Sequence, residues 1–265
     1  MSANMMYTAI SGLDTFNEAL SVVSNNIANA NTTAYKSQTV DFGNLVSGFM
    51  PTVYTDNTAQ GVGSAILDTS SDQSTGTEIQ TNVWSDLMIQ GGGYFEVQNP
   101  TSAADYYTRD GSFEVNSSGF LTDMNSNEVL NAAGKAINVN PPTGTTYTGY
   151  SVDQYGNVIA TEANGTQVSI AQIGVTTFSN PSGLISEGNN MLTTGPNSGS
   201  VTPTTAGNVS SQAGTIISGA LEGSNVDLTQ QMVDLINYQA DYQANSKSIV
   251  TGDNLLQTVV NLITG

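Results

Sequence analysis

Histidine and cysteine are both absent from this 265-residue chain, and Lys and Arg together number four. Without them the chain lacks the commonest general bases, thiolate nucleophiles and transition-metal ligands, and no disulfide framework can form. The four bases, Lys36, Arg109, Lys135 and Lys247, are scattered among 22 acids, for a net charge of −18. Nucleic acid and anionic membrane surfaces need clustered Lys and Arg, so both are excluded as partners. Charged residues make up only 10% of the chain and hydrophobic ones 38%. Ser, Thr, Asn, Gln and Gly supply the rest, which gives a surface that is polar without being densely charged. Long apolar runs are missing too. Asp14, Asn17 and Glu18 interrupt the N-terminal segment, so neither a cleaved signal peptide nor a membrane span is expected.

No cofactor, metal or catalytic residue is expected from this inventory. Lys36 and Lys247 read as solvated or ion-paired charges, not as partners of a nucleophilic serine. Asp123, Asn125 and Asn127 offer oxygens at positions one, three and five of a calcium loop. Glu128 stands where that loop needs glycine and Gly134 where it needs an acid, so the stretch reads as a β-turn. Gly91-Gly92-Gly93 is followed by strand formers, which makes it a bulge and not a phosphate cradle.

What is present lies first at the two ends. Over residues 225–263, Leu228, Leu235, Tyr242, Ile249, Leu256 and Ile263 recur every seven residues, and Met232, Ile236, Val250, Val259 and Val260 widen the stripe. Asp227, with Gln230 three residues on, reads as the N-cap of this helix. Asp227, Asp234 and Asp241 flank its seam. At the other end Met6, Leu13, Leu20 and Ile27 repeat at seven, each followed three residues later by Ala9, Phe16, Val23 and Ala30. The expected fold is α+β: long terminal helices (1–36 and 222–265) paired as a coiled coil, parallel or antiparallel. An extended linker (37–82) and an antiparallel β-rich outer domain (83–221) are inserted between them.

Within the insertion, strands are expected at 87–89, 94–97, 106–109, 112–115, 120–122, 128–130, 150–152, 158–160, 168–178 and 214–221. Asp110-Gly111, between two alternating runs, is the strongest hairpin signal, and the roughly ten-residue spacing implies a meander.

Several stretches also resemble a known family. Ile10-Ser11-Gly12-Leu13, and Ser24 through Asn25, Asn26, Ile27, Ala28, Asn29, Ala30, Asn31, Thr32, Thr33, Ala34 and Tyr35 to Lys36, resemble the opening signature of the bacterial flagellar rod and hook axial proteins. Gly219-Ala220-Leu221-Glu222-Gly223-Ser224-Asn225-Val226-Asp227-Leu228, with Met232-Val233, Tyr242-Gln243 and Asn245-Ser246, is similar to the closing signature. Gln90-Gly91-Gly92-Gly93-Tyr94-Phe95 and Tyr107-Thr108-Arg109-Asp110-Gly111-Ser112-Phe113 resemble the family's β-domain. One departure is Ala34-Tyr35, where the family commonly has Gly-Phe. The resemblance implies a homopolymer, a helical tube whose inner layer is the paired helices. It further implies export through the flagellar type III apparatus, contact with neighbouring rod, cap and hook-filament junction proteins, and a place in the basal body or hook, periplasmic or extracellular. The length suits a distal rod protein or a minimal hook protein; the short region from Asp41 to Val83 and the Gly219 to Leu228 run resemble a hook protein more, with a distal rod subunit as the alternative. A β-rich adhesin or carbohydrate-binding protein on a coiled-coil stalk is the reading from another class.

Overall fold

The computed structural model describes residues 2–46, 61–142, 144–208 and 212–264. They form two compact units, one of residues Met1–Ala30, Ser37–Asp72 and Val226–Gly265, the other of Asn31–Lys36 and Gln73–Asn225.

The first unit is built on α1 (Ser2–Ala28) and α2 (Leu228–Thr264). Asp227 caps α2, its Oδ1 accepting from the backbone N–H of Thr229 at 2.8 Å and of Gln230 at 3.2 Å. The Gln230 side-chain amide turns forward, donating to Asp234 Oδ1 at 2.9 Å. The two helices run antiparallel. Asn26 meets Gln231, the Phe16 ring lies 6.2 Å from that of Tyr238, and Gly12 faces Asn245.

Residues 37–82 were expected to be a linker. The described part is extended, but it is bonded into place. β1 (Gln38–Val46) and β2 (Gly61–Ser71) form an antiparallel ladder, from Gln38 opposite Ser71 to Leu45 opposite Gly63 and beyond. Residues 47–60 of the expected linker lie outside the described residues. β2 lies on α1: Thr15 Oγ1 donates to Ser64 O at 3.1 Å, and a Cβ on Gly63, whose φ is +139°, would sit 1.9 Å from Ser11 Oγ. Glycine is what lets the strand approach the helix so closely.

The second unit is built of β-strands, with a short 3-10 helix at Pro181–Gly183. It begins with β3 (Glu78–Gln80), β4 (Leu87–Gln90) and β5 (Tyr94–Gln98). β6 (Asp105–Thr108), β7 (Glu114–Val115), β8 (Leu121–Thr122) and β9 (Glu128–Val129) follow. Next are β10 (Tyr147–Val152), β11 (Asn157–Glu162), β12 (Gln167–Gln172) and β13 (Gly174–Phe178). β14 (Ile185–Gly188), β15 (Met191–Thr193), β16 (Val201–Thr205), β17 (Thr215–Ser218) and β18 (Ala220–Glu222) complete it. The largest sheet has the order β14-β15-β6-β5-β9-β8-β7, with β13 joining β5 to β16; β10-β11-β12 is a separate three-stranded meander. β17 pairs with β4 and β18 with β3, so the last two strands close on the first two.

The core is Leu87, Ile89, Phe95, Val97, Phe113, Leu121, Val129, Ile137, Val158, Ile173, Val175 and Ile216, all nearly fully buried. Phe95 and Phe113 meet edge to face with centroids 5.1 Å apart. Trp84, stacked on Tyr150, packs against the edge of this cluster.

Three strand expectations are overturned, the first being the strand at 214–221, which is two, β17 and β18, in different sheets. Asp110-Gly111 is not a hairpin turn: β6 pairs with β5 and β15, and β7 with β8. A two-residue hairpin turn uses glycine for its positive φ, and Gly111 is not among the residues of positive φ. It serves close approach instead, since a Cβ there would lie 1.8 Å from Leu87 O. The single long strand at 168–178 is two, β12 and β13, which belong to different sheets. The break falls at Ile173, which is buried in the core, and at Gly174, which passes against the backbone of Asn131 and Ala132.

The turns share one device. Asp153 Oδ1 accepts from the N–H groups of Tyr155 and Asn157, and the Asn157 amide donates back to Asp153 Oδ2. Asp123 binds Asn125 and Asn127 identically, so the carboxylate that a calcium loop would need is spent on its own turn. Asn116 and Asn131 repeat the backbone part. The fourth residue in each is left-handed: Gly156, Ser126, Gly119 and Gly134.

Candidate assembly site

The helices meet along a line in which small and polar residues alternate with a few large ones. On α1 the buried positions are Ala9, Gly12, Thr15, Ala19, Val23 and Asn26; on α2 the contact line follows Gln231, Leu235, Tyr238, Asn245, Ile249 and Gly252. Of the predicted N-terminal seam, Ala9 and Val23 are buried, whereas Met6, Leu13, Phe16, Leu20 and Ile27 are only half-buried. Of the C-terminal one, Leu235 and Ile249 are half-buried. Leu228, Met232, Tyr242, Leu256 and Ile263 are exposed, Ile263 to 78%. The physical reason is the spacing of the helices. A Cβ on Gly12 would lie 2.5 Å from Asn245 Nδ2, and one on Gly252 3.0 Å from Met5 Cε. Large side chains do not fit the contact at these two glycines; Leu235, Tyr238 and Ile249 line it elsewhere.

Large apolar side chains of α2 are therefore left exposed, among them Met232, Val233, Ile236, Val250, Leu255, Val259, Val260, Leu262 and Ile263, and they lie around the helix, Val250 and Val259 on opposite sides of it. Tyr238, which the heptad reading missed, sits among Phe16 and Phe42 with ring centroids 6.2 and 5.8 Å away. Burial first, then the nearby Asp234 and Asp241, pushes its pKa up.

The motif residues divide between local and long-range roles. Asn26 is fully buried: its Nδ2 donates to Gln38 O at 2.8 Å and Gln231 Oε1 at 2.9 Å, and its Oδ1 accepts from Gln38 N. One amide thus joins α1, β1 and α2. Asn25 and Asn29 bond to each other at the end of α1, beside the exposed Ala28. Asn31 is exposed, Thr32 and Tyr35 are half-buried, and the hydroxyl of Tyr35 has its pKa raised by burial. Ala34 is buried with φ +55°, the left-handed region in which glycine is at ease. That geometry accounts for the common family glycine, and the present chain pays for it with strain.

Lys36 forms an ion pair with Glu222 at 2.5 Å, and Arg109 approaches the same carboxylate at 3.6 Å. The Glu222 side chain is fully buried, so half of the chain's bases converge on one acid. The only signal in the sequence was an acid next to the small apolar residues of strand β18. Gly91 and Gly93 have φ values of +114° and +115° and turn the chain from β4 to β5, which do not pair with each other. Gly92 lies between them, its carbonyl accepting from Gly214 N at 2.7 Å. Asp110 Oδ1 accepts from Ser112, and its Oδ2 from Thr33 Oγ1 at 3.1 Å. The described residues contain no cluster of acids that could hold a metal ion and no helix long and apolar enough to cross a membrane.

Comparison with known proteins bears on this arrangement at both ends and in the middle. Residues 6–36 match the family described as flagella basal body rod protein, 88–160 the flagellar hook protein FlgE/F/G D1 domain, and 217–262 the flagellar basal body rod FlgEFG protein C-terminal family. The flagellar basal-body rod protein FlgG of Bacillus subtilis is 37% identical over 273 residues, covering 97% of this chain and 98% of that protein. The chain belongs to the flagellar rod and hook axial protein family. The FlgG protein of Borreliella burgdorferi is 30% identical to this axial protein over 97% of both. The flagellar hook protein FlgE of Escherichia coli is 39% identical, but over 113 residues only, 43% of this chain and 28% of that one. Likeness to the rod proteins runs end to end and likeness to this hook protein does not, which favours the distal-rod alternative over the hook expectation.

Proposed function

We propose that this axial protein is a distal rod subunit, polymerising with copies of itself into a helical tube that acts as the drive shaft of the flagellar basal body. The observation that carries the reading is the end-to-end match to rod proteins from distant bacteria. The exposed apolar side chains of α2 support it, since apolar groups covered by a different surface on the next copy generate an open helical polymer. In the tube the terminal helices form a coiled-coil inner layer, completed by neighbouring copies, and the β-unit forms the outer one. The subunit travels through the flagellar type III apparatus and contacts neighbouring rod and hook proteins in the periplasm.

Electron microscopy of the concentrated protein tests this, together with an Ile236→Asp, Val260→Asp double variant whose changes lie on exposed positions. Straight tubes from the parent and discrete particles from the variant are the expected result. Curved tubes would restore the hook reading, and discrete particles from both would end the polymer reading.

A further inference from the structure

The chain passes between its two units after residues 30, 36, 72 and 225. Inside the β-unit, the three segments that carry these crossings are bonded to one another, and Glu222 is bonded to all of them. Its backbone carbonyl accepts from Ala34 N at 2.7 Å. Its Oε1 accepts from Gly76 N at 2.9 Å and from Lys36 Nζ. Lys36 Nζ donates again to Ser74 O at 2.6 Å, and the amide of Asn225 donates to the same oxygen at 3.2 Å. Asn225 N closes the ring on Tyr35 O at 3.3 Å.

The segments are also in steric contact, because a Cβ on Gly76 would lie 1.9 Å from Gly223 O. From the core side Arg109 faces Glu222 Oε2 at 3.6 Å, while its NH2 group donates to Gly91 O at 2.8 Å. Arg109 Nε and Glu222 Oε2 are buried without a hydrogen-bond partner. The arrangement therefore has one tight arm, to Lys36, and one slack arm, to Arg109. A carboxylate removed from water is held only by such partners, so the three segments keep their places together or lose them together.

We infer that Glu222 is the positioning residue of a three-segment junction through which load entering the β-unit at one crossing is shared by the others. The inference rests on the reading of the chain as a torque-bearing subunit. Its structural content is nonetheless testable in the unassembled protein.

Native-state hydrogen exchange of the full-length chain is followed residue by residue in the parent, Glu222→Gln and Lys36→Met. In Glu222→Gln the amides of Ala34, Gly76 and Asn225 are expected to exchange at least tenfold faster as a group, with Ala160 in β11 unchanged. Acceleration at Gly76 alone would overturn the junction, as would acceleration spread evenly to Ala160. Lys36→Met leaves the carboxylate in place and guards against a Glu222 variant that fails to fold. It is expected to accelerate Gly223 N, which bonds to Thr77 O and is not touched by Lys36; an unchanged Gly223 would overturn the coupling. These outcomes do not depend on polymerisation, so tubes from the parent with uncoupled segments would sink the junction and leave the rod reading standing.

Discussion

Replacing Gly111 with Ala puts a methyl carbon 1.8 Å from the carbonyl oxygen of Leu87, 2.7 Å from its carbon and 3.1 Å from Phe95 Cε2. Ordinary contact begins at 3.4 Å, and two of these three atoms are backbone, so the segments must separate by about 1.6 Å. The separation breaks the Leu87 N–H to Gly111 O bond, 3.0 Å long, and the Asp86–Ser112 bridge beside it. Two hydrogen bonds at about 1 kcal/mol each, with overpacking of a core that holds Leu87, Phe95 and Phe113 at about 1–3 kcal/mol, give a loss of roughly 3–5 kcal/mol. The assay is urea unfolding followed by fluorescence of Trp84, the only tryptophan, which stacks on Tyr150 within the same unit. With a slope of about 2–3 kcal/mol per molar urea, the midpoint falls by about 1–2 M. Gly149→Ala is the control, because nothing lies within 4 Å of its Cβ position and its φ is not in the left-handed region. It is expected to be neutral or to stabilise by about 0.5 kcal/mol. A Gly111→Ala midpoint equal to that of Gly149→Ala would refute the claim that close approach, and not turn geometry, fixes this glycine.

Ala34→Gly removes a left-handed strain worth about 1 kcal/mol and is expected to raise the urea midpoint, partly offset by the added freedom of the unfolded chain; a lower midpoint would show that the Ala34 methyl group contributes more by packing. Glu96 is buried, and burial raises its pKa despite the hydrogen bond from Thr176 Oγ1 at 2.8 Å. The folded state thus holds this proton more tightly than the unfolded one, so stability falls as pH rises from the ordinary carboxylate value through the raised one. Glu96→Gln is accordingly expected to stabilise the protein at pH 7 and to be neutral below about pH 4, as read by unfolding midpoints across that range. Asp153→Ala deprives Tyr155 N, Asn157 N and the Asn157 amide of their acceptor and is expected to cost about 1–2 kcal/mol in the same unfolding assay. Asp153→Asn, which keeps an oxygen in place, recovers most of that loss.

The ends of the fold were legible because their pattern is long. A seven-residue repeat over more than thirty positions admits one secondary structure, and the Asp227 cap sits where the pattern starts. Which residues of the repeat touch the other helix was not legible. Periodicity counts apolar residues, and the contact here runs through Gly12, Asn26, Gln231, Asn245 and Gly252, leaving much of the apolar stripe outward. In the β-unit, turns were readable where a side chain closes its own loop, as at Asp123 and Asp153. Pairing was not, because β5 takes partners from three separate parts of the chain. Asp110-Gly111 misled for a related reason: the dipeptide reports that glycine is needed, and only the packed neighbour tells for what. The ion cluster was the least visible of all, since its members are separated by as many as 186 positions.

Those separations also set an order in time. Asn26 finds Gln231 only 205 residues later, and Lys36 finds Glu222 only 186 residues later. Closing loops of that size costs entropy that the contacts repay only once both sides are present. A chain growing or emerging from its first residue can seal its turns as they appear, each by its own aspartate or asparagine. It cannot close the β-unit until Glu222 is available, nor the helical pair until still later. A subunit interrupted before that point would carry finished turns but neither closure, and so would lack the paired helices that an unbroken chain brings to its neighbours.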